Sequence, residues 1–477
     1  MVAHRISPDL NENQISSSAP DEGGSSRLHS QSTQKDWIVV PVRSFPLKIL
    51  VFLGAVAFVF LVGRKAVLEL VAERLAQNPT IENLRKALRL SPGNAEYHYL
   101  LGHRLEASLE EANWKAAVTE YEKAVQLNPH NAFYWLQLAQ AYEAAQRTQD
   151  ARRAIEHAAR ADPNQPVVAW QVGNFQLRHD NVEEALRQFR VVLSGSQVDA
   201  TLTQAVFDLA WQGTQNNRLI LDIAIPHDNR VQFDYLSFLL SKGRLDESLE
   251  VWDRIIHERG SFRPNSAFPL IDALIGTRRV DEAQETWKQL VRLLQLYALR
   301  LDERNLLVNG GFEEDPLNGG FDWRFTPLEH VGLQLDSVVF HRGTRSLSVS
   351  FDGKENIAFN HFSQLIPVEP NTQYRFRGWM RAEQITTDTG PHFEISDFYA
   401  SSPPITTGES MVGSSNWQET VLDFRTGPDT KLLRIAIVRT PSRKFDNRIQ
   451  GLIWVDDLSL QLMQDGGPIT TQAQPSR

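Results

Sequence analysis

Four carboxylates stand in two adjacent pairs, Glu313/Glu314 and Asp456/Asp457, and they are the first residues to weigh for chemistry. Two carboxylates that flank a glycosidic bond can serve as acid and base at separations of ~5–9.5 Å. Neighbours on a strand point to opposite faces, so neither pair alone can do this. His98 and His103 are five apart in a helical stretch, off one face, which suits two solvated side chains better than a metal pair. No HExxH, GxSxG, GxGxxG or phosphate-loop pattern occurs. With no catalytic site residues to name, the expectation is that the chain is not an enzyme.

Binding chemistry has more material. Pyranose rings stack on exposed aromatic faces with polar groups beside them. Trp323, Phe325, Trp379, Phe398, Tyr399 and Trp417 are available for this. Most aromatics in strands are core, and Trp379 is out of phase with Tyr374 and Phe376, so these three do not share a face. Phe398, Tyr399 and Trp417 lie beside Gly-, Ser- and Pro-rich loops and are the expected carbohydrate-binding residues.

The elements that must position them are strands. From Asn305 the chain runs through eight short segments of β-branched and aromatic residues, such as SLSVSFD, QYRFRGWMRA and LIWVDDLSLQL, separated by Gly, Pro, Asn and Asp. That texture predicts an antiparallel β-sandwich. Its opening, Asn305 to Glu313 (NLLVNGGFE) followed by Trp323, its middle HRGTRSLSVS and its closing IWVDDLSL resemble carbohydrate-binding modules of the CenC type, which have a galactose-binding-like jelly roll. The resemblance implies a jelly-roll domain over about 303–463 and a poly- or oligosaccharide ligand. It also implies a structural calcium tying first strand to last through Glu313 and Asp457. Calcium takes several hard oxygen ligands, and two carboxylates are only a start; solvated or turn-bonded acids are the alternative.

A second pattern precedes the strands. Ala117, Ala151 and Ala185 are 34 residues apart, as are Pro129 and Pro163, and Ala139 and Gly173. This is the period of a helix-turn-helix repeat. Small residues at Gly102, Ala139 and Gly173 let paired helices approach, while Tyr121, Trp135, Tyr142 and Phe189 fill the space between pairs. The markers resemble the tetratricopeptide repeat family, which implies an α-helical solenoid that binds a protein partner in its groove. The solenoid is expected over 66–301, most regular over 84–197, with looser pairs around Ser248/Trp252 and Ala283/Trp287.

At the other end, Ile49 to Gly63 is an uncharged apolar run flanked by Arg43, Lys48, Arg64 and Lys65. It predicts a transmembrane helix over 47–65, with basic flanks that snorkel. Basic residues tie on its two sides and leave orientation open. Residues 1–36 and 464–477 are polar and expected to be disordered. A net charge of -9 gives no basic footprint for nucleic acid, and the absence of cysteine excludes disulfides and thiolate metal sites.

The fold class expected is therefore multidomain α + β: a transmembrane helix, a tetratricopeptide-like solenoid and a C-terminal jelly roll. The function expected is a single-pass, non-catalytic adaptor of the cell inner membrane, mostly extracytoplasmic, that joins a protein partner to a glycan in cell-envelope or exopolysaccharide assembly or export. The alternatives are a pure protein-interaction scaffold with a structural sandwich, and a non-catalytic part of a polysaccharide-acting hydrolase system.

Overall fold

The computed structural model describes residues 44–108, 111–195, 199–301, 304–401 and 403–463, so both expected disordered tails lie outside the described residues. The chain divides into two compact units, Met1–Arg74 and Leu75–Arg477. The first is represented by helix α1 (Phe45–Ala76), whose apolar stretch is long enough to cross a membrane and is unburied. Its 32 residues exceed the ~20 that a bilayer needs, so a charged final portion from Arg64 extends past any span.

The second unit opens with α2 (Ile81–Leu90) and continues as antiparallel pairs: α3 (Ala95–Glu106) with α4 (Glu111–Leu127), α5 (Ala132–Ala144) with α6 (Thr148–Ala161), and α7 (Pro166–Arg178) with α8 (Val182–Leu193). Three looser pairs follow: α9 (Ala200–Thr214) with α10 (Asn217–Ile223), α11 (Asn229–Ser241) with α12 (Leu245–Glu258), and α13 (Phe268–Gly276) with α14 (Val280–Leu293). The starts of the helices are written locally. Asn94 caps α3 by accepting from the amides of Glu96 and Tyr97, and Asn131 does the same for α5 with Phe133 and Tyr134. Pro92 and Pro129 sit two residues before these caps, where no helix needs their missing N–H.

Close approach explains the small residues. A methyl on Gly102 would meet the Tyr121 ring at 2.8 Å, and one on Gly173 would meet Phe189 at 2.7 Å. Ala117, Ala139, Ala151 and Ala185 are almost wholly buried between helices. Tyr142, also buried, donates its hydroxyl to Glu122 at 2.8 Å, while Trp135 is half-buried and stacks on His157 at 4.3 Å between ring centroids. One histidine departs from expectation. His98 is buried rather than solvated, held between Glu120 at 2.6 Å and the carbonyl of Pro92 at 3.1 Å, while His103 is exposed.

Among the described residues, ten strands then form two antiparallel five-stranded sheets. They are β1 (Arg324–Phe325), β2 (Val331–Asp336), β3 (Ser346–Asp352), β4 (Phe359–Pro367), β5 (Gln373–Ile385), β6 (His392–Asp397), β7 (Thr406–Thr407), β8 (Gly413–Arg425), β9 (Leu432–Arg439) and β10 (Gln450–Leu462). The orders are β1-β4-β9-β6-β7 and β2-β3-β10-β5-β8. The core between them takes alternate residues, such as Tyr374, Phe376 and Met380 of β5 facing Phe393, Ile435 and Ile437 of the other sheet.

Solenoid and sandwich share a core. Phe321, Leu365 and Leu432 of the sandwich belong to the same apolar cluster as Phe268, Trp287 and Leu290 of the last helical pair. The loop before β1 is wedged there: Gly319 and Gly320 leave no room for side chains against Phe268 and Trp287, and Phe321 meets Trp287 edge-on at 6.2 Å. Arg324 pairs with Asp272 at 2.6 Å, and Lys431 with Asp281 at 3.5 Å.

Candidate functional site

The bulged strand β10 organises one end of the sandwich. Register shifts between Asp456 and Ser459, with Asp457 at φ +52°, so the two neighbouring aspartates do different things. Asp456 is fully buried and accepts from the amides of His341 at 2.7 Å, Arg342 at 3.0 Å and Asp457 at 2.7 Å. Burial pushes its carboxyl above the usual aspartate range, opposed by those amides. Asp457 instead pairs with Nδ1 of His341. Across the same loop Glu313 takes the Thr344 hydroxyl at 2.6 Å and its amide at 2.9 Å, and these hold its carboxyl below the ordinary value.

This bears on calcium. A methyl on Gly311 would lie 3.8 Å from both Asp456 Oδ1 and Glu313 Cγ, so both acids border that glycine. Of the expected calcium pair, Glu313 is engaged by Thr344 and Asp457 by Nδ1 of His341. Among the described residues no group of three or more His, Cys, Asp or Glu side chains stands ready for a metal ion. The oxygens that Glu313 and Asp457 present are the hard type calcium takes, and each is already bonded to the 341–344 loop.

Beside this clasp lies an aromatic cluster on the outer face of β5 and β8. Trp379 is half-buried on the face opposite Tyr374 and Phe376. The His341 ring stacks on it at 4.0 Å and 17° and leans on Trp417 at 5.5 Å and 59°. Arg377 and Glu419, paired at 3.0 Å, border the cluster with polar groups. Half-exposed rings next to fixed polar groups can stack on a pyranose and bind its hydroxyls.

The three expected aromatics are not brought together. Trp417 lies in this cluster, whereas Phe398 and Tyr399 follow β6 in the other sheet. Tyr399 is corrected to a joint residue: its hydroxyl donates to the carbonyl of Ile275 at 2.7 Å, and Arg278 covers its ring at 5.0 Å. Phe398 packs edge-on against it and is 40% exposed. Trp323 is core, stacked on Phe362 at 4.9 Å, with Phe325 partly buried beside it. The sequence carries no direct sign of His341, which bonds to Asp457 at the β10 bulge and stacks on Trp379; its place in the HRGTRSLSVS stretch is the available signal.

The solenoid offers a second surface. A cavity of about 360 Å³ between α5 and α7 is lined by Gln140, Glu143, Trp170, Gln171, Asn174 and Arg178, among others. Gln140 donates to Gln171 at 2.8 Å and Arg178 pairs with Glu143 at 2.9 Å, so the groove is lined by amides and a neutralised charge pair.

Comparisons with known proteins match both halves. A carbohydrate-binding domain model matches residues 304–444, and a tetratricopeptide repeat model matches 108–172. No curated protein matches the sequence. Among solved structures, one described as TmCBM61 in complex with beta-1,4-galactotriose is 21% identical, with a TM-score of 0.25, over 34% of this chain and 99% of that one. A structure titled CBM4 structure and function is 15% identical, with a TM-score of 0.25, over 33% and 99%. The Pseudomonas aeruginosa protein pilF is 18% identical, with a TM-score of 0.23, over 49% and 93%. The chain thus carries a tetratricopeptide repeat region followed by a carbohydrate-binding jelly-roll domain.

Proposed function

We propose that this protein is a membrane-anchored, non-catalytic adaptor whose solenoid holds a protein partner and whose sandwich holds a glycan during cell-envelope or exopolysaccharide assembly or export. The observation that carries the reading is the shared core of solenoid and sandwich, through Trp287, Phe321 and Leu432. A domain matched as carbohydrate-binding is fixed, not tethered, to a repeat array suited to protein binding. Partner and glycan would then be held at a set spacing.

In this reading α1 crosses the inner membrane with its N-terminus in the cytoplasm, and the solenoid groove near Gln140 and Asn174 takes an extended, largely uncharged peptide segment. Glycan contacts centre on Trp417, with Trp379 and His341 beside it, while Phe398 edges the joint. Calcium, in the same reading, is held by Glu313 and Asp457 and supplies only a charge that ties the first strand to the last.

A reporter fused after Arg477 tests the placement. Activity of an enzyme that works only outside the cytoplasm supports it; activity of a cytosolic reporter at the same position overturns the localisation and removes the envelope role.

A further inference from the structure

The loop between β9 and β10, residues 440–449, stands at the pole of the sandwich away from the solenoid. β9 starts at Leu432 in the shared helical core and ends seven residues later at Arg439, about 23 Å on. The loop base is tightly held. Buried Ser442 donates its amide to Asn356 Oδ1 at 3.0 Å and its hydroxyl to Asp388 at 2.6 Å, and it accepts the Lys444 amide at 3.1 Å. Asn356 donates back to the Ser442 carbonyl at 2.8 Å, and buried Arg439 donates to the Asn447 carbonyl at 3.2 Å. On this fixed base Phe445 is fully exposed, at 104%, against 40% for Phe398 and 39% for Phe340.

A single exposed apolar residue needs no explanation. Its neighbours give this one a direction. Arg443, Lys444 and Arg448 flank it in sequence against one acid, Asp446, with Asp388 the further acid at the loop base, a local excess of positive charge in a chain of net charge -9. Lys444 is paired with Asp388 at 3.1 Å, while Arg443 and Arg448 have no ion pair among the described residues. An aromatic ring offers a stacking face to a pyranose, and unpaired guanidinium forks match carboxylates. Asp446 and Asn447 beside the ring can take sugar hydroxyls. An anionic bilayer fits less well, since Asp446 would be driven into it with the ring and no second apolar side chain flanks the tip.

We propose that this loop binds an acidic polysaccharide, with Phe445 stacked on a sugar ring and Arg443 and Arg448 on uronate carboxylates. The proposal rests on the glycan reading above and adds the ligand's charge and a contact site apart from Trp417.

The full chain in neutral-lipid nanodiscs is titrated with polygalacturonate, with neutral galactan and with vesicles containing anionic lipid. Polygalacturonate is expected to bind, and the affinity is expected to fall about five- to tenfold in Phe445→Ala and in the Arg443→Ser/Arg448→Ser double variant, with unchanged melting temperatures. Equal affinity in the variants, or no binding of polygalacturonate by the wild type, overturns the proposal. So does vesicle binding that Phe445→Ala abolishes while polygalacturonate binding is unmoved. Galactan bound without polygalacturonate sinks the acidic-glycan claim alone; binding of neither sinks the glycan reading with it.

Discussion

Gly102 and Gly173 show how much a single hydrogen matters in the repeats. Replacing a helical glycine by alanine gains about 1 kcal/mol of helix propensity. Against this, a methyl at Gly102 would sit 2.8 Å from the ring of Tyr121, which is fully buried and tied by its hydroxyl to Glu106 at 2.7 Å. Overpacking of this kind costs ~1–3 kcal/mol, so the clash outweighs the propensity gain. Gly102→Ala is expected to lose about 1 kcal/mol net in urea denaturation; a gain would mean that Tyr121 can move aside. The calcium reading is also tested at single residues. Chelation with EDTA is expected to lower the melting temperature of the wild type by several degrees and to leave Glu313→Gln unmoved. An unmoved wild type would mean that the amides of residues 341–344 suffice to hold the clasp.

At the scale of elements, the loop before β1 is the feature to probe. Asp322 is fully buried there, its Oδ2 accepting the Leu317 amide at 2.7 Å and its Oδ1 without a partner among the described residues. Burial raises its pKa to about 6. The folded value lies above the unfolded one, so the folded state binds the extra proton. Its contribution is fully present below the unfolded value near 4 and is lost as pH rises through about 6. A rise from 3.8 to about 6 corresponds to ~3 kcal/mol. Asp322→Asn keeps an acceptor for Leu317 and carries no charge. Denaturant melts are expected to show its advantage over the wild type growing between pH 4 and about pH 6.5 and level above that; a constant gap would contradict the assignment.

The same scale shows what the sequence could and could not tell. The repeat was readable because Gly102, Ala117, Ala151, Ala185 and Phe189 mark contacts between helices adjacent in the chain. The sandwich was readable because alternation along β5 and β10 writes its buried face directly. Tyr399 was not, since its partner Ile275 lies 124 residues away across a joint between two separately patterned regions. Nor was the division between Asp456 and Asp457, where one bulge in β10 buries the first and turns the second to His341. His98 was misjudged for a similar reason, because Glu120 reaches it from the next helix.

The whole unit from Leu75 to Arg477 should behave as one body. Trp287 is fully buried, with its indole nitrogen donating to the Leu299 carbonyl at 3.2 Å and its ring against Phe321. Trp287→Ala removes this plug at ~3–5 kcal/mol, enough to threaten a domain of ordinary stability. Calorimetry of the wild type is expected to show solenoid and sandwich melting in one transition, which Trp287→Ala lowers or splits. Two independent transitions in the wild type would mean that the joint does not couple them.

That coupling matters only if the sandwich holds a glycan while the solenoid holds a protein. A glycan microarray probed with the full chain in nanodiscs, with calcium present, is expected to show binding to a restricted set of polysaccharides, weakened by Trp417→Ala or by Phe445→Ala. Binding to no glycan on the array would contradict the adaptor and leave a scaffold for proteins alone.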